Sequence, residues 1–237
     1  MHAFPTSHEM WLPQIDYFSN QYRTIAVDLR GFGKSSRSDQ PLSIDLFVGD
    51  ILALIEKLEI EKVNLIGLSM GGYVAQRFYQ FYPEYVKRLI LCNTRSQKDT
   101  PEGILKRHEL IEFIKKGNFN SFVENFIKSS VHKNNLDRVY NVLCEVIQKN
   151  SQEIVCDSLI CLANRPDTTN ILAKIKVPTL LIGGKEDNLI PSEIMVEMHK
   201  VIPNSELVLF DKVGHFSNLE SSSKFNSVIN DFIAKTS

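Results

Sequence analysis

Gly67-Leu68-Ser69-Met70-Gly71-Gly72 decides how the rest of this chain is read. The apolar run Val63-Asn64-Leu65-Ile66 precedes it and Tyr73-Val74-Ala75-Gln76-Arg77-Phe78 follows, so the order is strand, sharp turn, helix. A serine on such a turn sits in a strained backbone conformation with its hydroxyl above the sheet, and side chains in place of Gly67 and Gly71 would collide. The helix starting near Met70 aims its positive end at that hydroxyl, where negative charge develops during acyl transfer. Ser69 is therefore the candidate nucleophile. The competing reading, a glycine-rich turn with a solvated serine, weakens only if a base and an acid stand at suitable places.

Outward from this stretch, helices and strands alternate. Upstream, Leu46, Ile51, Leu54, Ile55 and Leu58 recur at helical spacing. Before them, Trp11 to Phe18 reads as a short helix and Thr24-Ile25-Ala26-Val27-Asp28 as a compact buried strand. The loop Leu29-Arg30-Gly31-Phe32-Gly33-Lys34-Ser35-Ser36 has neither glycine signature of a phosphate cradle and reads as a structural turn. Downstream, Pro83 ends the serine helix and Val86 to Cys92 forms a strand. This alternation predicts a parallel sheet covered on both faces, with ligands at the carboxyl ends of its strands.

Residues 99–170 break the pattern. Apolar positions repeat at three and four residues with no strand between them, and Asn150 with Glu153 resembles a capping box that opens one more helix through Leu162. The division is thus 1–98 and 171–237 for the sheet-bearing core, with an all-helical insertion at 99–170 lying over the strand ends. The sheet resumes at Val177 to Gly184, followed by Lys185 and the acidic pair Glu186 and Asp187. The last strand, Glu206 to Phe210, leads into Asp211-Lys212-Val213-Gly214-His215, so an acid and a histidine both follow late strands. Phe225, Val228, Ile229, Phe232 and Ile233 form a closing amphipathic helix.

With 237 residues, 43% hydrophobic, the chain is long enough for a sizeable core, and its formal net charge of -1 with scattered basic residues points away from nucleic acid and anionic membranes. A small-molecule partner fits better. Cys92, Cys144, Cys156 and Cys161 show no C-x-x-C spacing and read as reduced core thiols of a cytoplasmic protein. No apolar run approaches membrane-spanning length. His8, His108, His132 and His199 lack partners at ligand spacing, so neither a metal site nor a cofactor is expected.

The sequence Gly67-x-Ser69-x-Gly71, with Asp187 after a late strand and His215 after the last, resembles the α/β-hydrolase superfamily in order and placement. Residues 92–105 and 163–191 look most like a subgroup described as 3-oxoadipate enol-lactonase-like or carboxylesterase-like. The resemblance implies an α/β-hydrolase fold, a mostly parallel sheet with helices on both faces and a helical cap. It implies a cofactor-independent serine hydrolase acting on an ester or lactone, with a C-C bond hydrolase, a perhydrolase or a non-catalytic binding protein as alternatives.

On that resemblance Ser69 attacks a carbonyl, His215 moves the proton, and Asp187 orients the imidazole, with Glu186 the rival acid. An acid directly after the strand ending at Cys92 is excluded by Asn93 and Thr94. The backbone N–H groups of Met70 and Phe4 form the oxyanion hole. The loop carrying Phe4, His2-Ala3-Phe4-Pro5, departs from the family's His-Gly-x-Pro at Ala3, and His2 reads as a structural histidine. The family also places a strand directly before this loop, between the strands matching Thr24–Asp28 and Val63–Ile66. Because Met1 immediately precedes His2, N-terminal strands are expected to be missing, and their neighbours must pair directly or leave backbone groups open.

Overall fold

The computed structural model describes residues 1–236. After a 3-10 turn at His8–Trp11, helix α1 (Leu12–Phe18) and helix α2 (Ile44–Lys57) lead to strand β1 (Val63–Leu68). The serine side chain of Ser43 caps α2 by accepting the Leu46 N–H at 3.1 Å. Helix α3 (Met70–Phe81) follows β1 after a single residue, and Pro83 stops it ahead of strand β2 (Val86–Cys92). The next stretch is helical throughout: α4 (Pro101–Lys115), α5 (Phe119–Ser130), α6 (Leu136–Gln148) and α7 (Gln152–Ala163). Strand β3 (Thr179–Gly184), helix α8 (Ser192–Val201), strand β4 (Ser205–Phe210), the one-turn helix α9 (Ser217–Glu220) and helix α10 (Ser222–Lys235) complete the chain.

The four strands form one parallel sheet in the order β1-β2-β3-β4. Inner strands are buried apart from Lys87 near the start of β2, as expected when helices cover both faces, and the two edge strands are half-buried. Register aligns the strand ends. Leu68 lies beside Cys92, Cys92 beside Ile182, and Gly184 beside Phe210, so the residues that leave these strands emerge along one rim. Helices α2 and α3 pack together, α8 lies on β3 and β4, and α4 pairs with α7 while α5 pairs with α6. No helix among the described residues is long and apolar enough to cross a membrane.

Two expectations are corrected. Thr24–Asp28 has the composition of a buried strand, yet it joins no ladder and Ile25 is 42% exposed. A strand exists only against a neighbour, and the segment stands across a cleft of about 530 Å³ from β1, floored by Ile229 and Ile233. Met1 bonds the β1 side of the cleft, its amine donating to Ile66 O at 2.7 Å and its carbonyl accepting from Leu68 N at 3.3 Å, while Asp28 O on the other side accepts the Ser35 hydroxyl at 2.7 Å. The second correction concerns α7. Its cap is Ser151, whose Oγ accepts the Ile154 N–H at 3.3 Å, while the Asn150 side chain points elsewhere.

Candidate active site

Ser69 fills the single-residue gap between β1 and α3 with φ 53° and ψ −113°, a left-handed backbone that costs an L residue on the order of 1–3 kcal/mol. The surroundings hold it there. Its N–H donates to Cys92 O at 2.9 Å and its carbonyl accepts the Thr94 hydroxyl at 2.9 Å. The turn closes this tightly because a Cβ on Gly67 would stand 2.2 Å from Gly71 O, and one on Gly71 would stand 2.3 Å from Met1 O. The second contact also seats the N-terminal loop against the start of α3. Ser69 Oγ itself has no hydrogen-bond partner among the described residues.

The N-terminal loop is fixed from three sides. Buried His2 accepts the Leu29 N–H on Nε2 at 3.1 Å, so its proton is on Nδ1, which donates to Ala3 O at 2.9 Å. Burial, the largest influence, lowers its pKa to about 4 and keeps the ring neutral. Ala3 O also accepts from the Thr6 N–H and hydroxyl. Asn150 closes the third side: its Nδ2 donates to Pro5 O at 2.9 Å and its Oδ1 accepts from Gly33 N at 2.8 Å. His8, without a partner in sequence, bonds the Asp28 carboxylate at 2.8 Å and anchors the neighbouring turn. Against this bonded background, the N–H groups of Phe4 and Met70 have no acceptor among the described residues, although both residues are buried.

Asp187 and His215 meet after β3 and β4. Asp187 Oδ2 bonds His215 Nδ1 at 2.8 Å, and Asp187 Oδ1 accepts the N–H groups of Leu189 and Ile190 at 2.9 and 3.0 Å. Burial alone would raise the Asp187 pKa, but His215, the Ile190 N–H and the Asn93 amide outweigh it and hold the carboxyl below its ordinary range. His215 Nε2 has no partner among the described residues. Glu186 does not reach His215; its carboxylate accepts the Val213 N–H at 3.0 Å. Both acids therefore serve this corner, in different ways.

Four side chains without a motif hold the arrangement. Glu220, buried, accepts from Gly214 N at 2.9 Å and Phe216 N at 3.1 Å, the two residues that flank His215. The same carboxylate accepts from His132 N and Asn135 Nδ2, and His215 N donates to Ser130 O at 2.7 Å, so the histidine loop is tied to the helical segment. Asn93, Ser217 and Asn150 complete the set. Partners of Asn93, Ser217 and Asn150 lie up to 145 residues away in the chain, so no local pattern reports these bonds. Position was the one available signal, since Asn93 directly follows a strand and Glu220 closely follows His215.

Above the rim, aromatic rings run from the N-terminal loop to the histidine. Phe4 lies 6.4 Å from Phe122 and 6.0 Å from Phe126, Phe126 lies 6.2 Å from Phe216, and Phe216 lies 5.6 Å from the His215 ring. Two of these rings, Phe122 and Phe126, come from α5. The helical segment thus supplies an apolar wall to this rim.

Residues 1–132 match the family model described as alpha/beta hydrolase fold, and residues 144–237 match one described as TAP-like protein. The AB hydrolase superfamily protein YisY of Bacillus subtilis is 31% identical, over 98% of this chain and 89% of that protein. A thermophilic esterase from Thermogutta terrifontis superposes with a TM-score of 0.93 at 30% identity, covering 99% of this chain and 88% of that one. The enol-lactonase from Burkholderia xenovorans LB400 superposes with a TM-score of 0.89 at 25% identity, covering 98% and 89%.

Proposed function

Since the chain belongs to the α/β-hydrolase family, we propose that it is a serine hydrolase that cleaves a carboxylic ester or lactone through an acyl-enzyme. One observation carries the reading. Ser69 Oγ, His215 Nε2 and the N–H groups of Phe4 and Met70 have no partner among the described residues, on a rim where the Ser69 N–H, the Asp187 carboxylate and the N–H groups of residues 214–216 are all bonded. Buried N–H groups without acceptors cost about 1–3 kcal/mol each, which a substrate oxyanion would offset.

Ser69 Oγ attacks the carbonyl carbon while His215 Nε2 takes its proton. The carbonyl π pair moves to oxygen, where the Phe4 and Met70 N–H groups receive it. Asp187 keeps the imidazole proton on Nδ1 and stabilises the imidazolium. The C–O bond to the alcohol breaks as His215 returns the proton to the leaving oxygen, and water then repeats the sequence on the acyl-serine, releasing the acid. In a lactone the leaving oxygen stays tethered to the product. The likeness to an esterase and an enol-lactonase supports this substrate class, and the wall of Phe4, Phe122, Phe126 and Phe216 suits an uncharged acyl group.

A fluorophosphonate probe, with turnover of short p-nitrophenyl esters and lactones, tests the proposal. The parent should label, and Ser69→Ala should lose the label and lower turnover on the order of 10⁶-fold with its fold intact. Unchanged turnover in Ser69→Ala would remove the serine from the mechanism. An unlabelled parent would point to a binding protein on this fold.

A further inference from the structure

The geometry points to Asn93, oriented by Ser217, as the positioning residue that holds Asp187 and the His215 loop in register; this rests on the Ser69-His215-Asp187 reading above. Asn93 leaves β2 with φ 44°, a left-handed conformation that asparagine tolerates better than most residues. Its N–H donates to Ile182 O at 2.8 Å, and the residue is 1% exposed. The turn is therefore part of the sheet's own rim.

The side chain makes three bonds to three different segments. Nδ2 donates to Asp187 Oδ2 at 2.9 Å and to Gly214 O at 3.1 Å, and Oδ1 accepts from Ser217 Oγ at 2.6 Å. These partners fix which way the amide faces. A carboxylate and a backbone carbonyl can only accept, so the NH₂ must face them, whereas the Ser217 hydroxyl can donate to the opposite side. Flipping the amide would set its oxygen against two other oxygens. Ser217 is fully buried, so no solvent competes for its hydroxyl proton.

One planar amide thus ties the loops leaving β3 and β4 to the inner strand β2. It touches the same Asp187 oxygen that receives His215 Nδ1, and it grips the residue immediately before His215. Its N–H also favours the ionised carboxylate, which is the form that keeps the imidazole proton on Nδ1. An aspartate at this position would reverse that effect, because two adjacent carboxylates compete for one proton.

Three variants test the assignment in the full chain. Asn93→Gly removes the amide while accepting the left-handed backbone, Asn93→Asp replaces donor by acceptor, and Ser217→Ala frees the amide to turn. Expected for Asn93→Gly is a roughly 10- to 100-fold fall in kcat, by analogy with outer-shell partners of other reactive groups, with KM within about twofold. Asn93→Asp should also raise the acidic limb of the kcat/KM profile by about one pH unit or more. Ser217→Ala should shift both readouts in the same direction, less strongly.

The downfield Nδ1–H proton of His215, read by NMR, reports the Asp187 bond without any substrate. It should weaken or move in Asn93→Gly and Asn93→Asp. Parent-like kcat, pH profile and proton resonance in both Asn93 variants would overturn the inference, even if Ser69 labels normally. An unlabelled parent whose His215 proton still responds to Asn93 would instead overturn the hydrolase reading and leave the positioning role standing.

Discussion

Around His215 the backbone amides are all taken: Gly214 and Phe216 donate to Glu220, and His215 donates to Ser130 O. Around Ser69 the amides of Met70 and Phe4 have no acceptors among the described residues. A buried N–H left unpaired costs about 1–3 kcal/mol, so the contrast is not neutral for stability. It separates two tasks. The imidazole has to hold one orientation before substrate arrives, and internal bonds can supply that. In the proposed mechanism the Phe4 and Met70 N–H groups act only on a charge that appears during reaction, so pairing them inside the resting protein would remove them from use. In place of direct bonds, the loop carrying Phe4 is held through its neighbours His2, Ala3 and Pro5.

The largest effect expected from breaking the bonded half comes from the acid. Asp187→Asn keeps the shape but removes the acceptor for the His215 Nδ1 proton, and should lower kcat by roughly 10⁴, the magnitude known for this change in serine proteases. Glu186→Gln keeps an oxygen to accept the Val213 N–H, so kcat should stay within about threefold. Steady-state ester hydrolysis measures both. The reverse ranking would transfer the orienting role to Glu186.

The same contrast shows what the sequence could reveal. Strands β1 to β4 and helices α3 and α10 follow from apolar periodicity, and Ser69 and His215 follow from a turn motif and a place after a strand. Which of Glu186 and Asp187 bonds His215 is not written in the local sequence, because adjacent acids after a strand point in different directions. Asn93 looked like an absence, a strand end without an acid, because its partners Asp187, Gly214 and Ser217 come from loops far along the chain. Asn150 and Ser151 are both good helix caps, and only the Pro5 and Gly33 partners show why Asn150 is occupied elsewhere. Thr24–Asp28 has β-forming residues, but composition cannot supply the neighbour that a ladder requires.

A middle-sized effect is expected where the free half is braced. Asn150→Ala removes the bonds to Pro5 O and Gly33 N, loosening the segment directly after Phe4 and leaving buried groups unpaired at about 1–3 kcal/mol. Loss of a complete oxyanion donor costs about 10²- to 10³-fold, so a misplaced one should lower kcat by roughly 10- to 100-fold. Ile202→Val, buried beside α8 at the other end of the core, should cost about 0.5–1.5 kcal/mol and leave kcat near parent. Thermal melts and kcat measured on both variants separate bracing from general destabilisation. Equal kcat in the two would mean that Asn150 stabilises the loop without placing Phe4.

The smallest effect on turnover, and the one that reads the free half through stability, concerns His2. Its ring is neutral because Nε2 already accepts the Leu29 N–H, and burial lowers its pKa from the ordinary 6.5 to about 4. Between those values the unfolded chain binds the proton and the folded chain does not, so stability rises with pH across this window. The contribution, roughly 3 kcal/mol, is complete above about pH 6.5 and is lost as pH falls towards 4. His2→Gln retains an oxygen that can accept from Leu29 N but cannot titrate. Urea unfolding from pH 4.5 to 7.5 should therefore show a flatter curve for His2→Gln than for the parent, while kcat at pH 8 changes little. Titrating groups that do not interact with His2 are common to both proteins and cancel in the difference, whereas the neighbouring Met1 amine, whose charge acts on the His2 ring, contributes to it. Parallel curves would mean that His2 does not keep its neutral ring against the loop that carries Phe4.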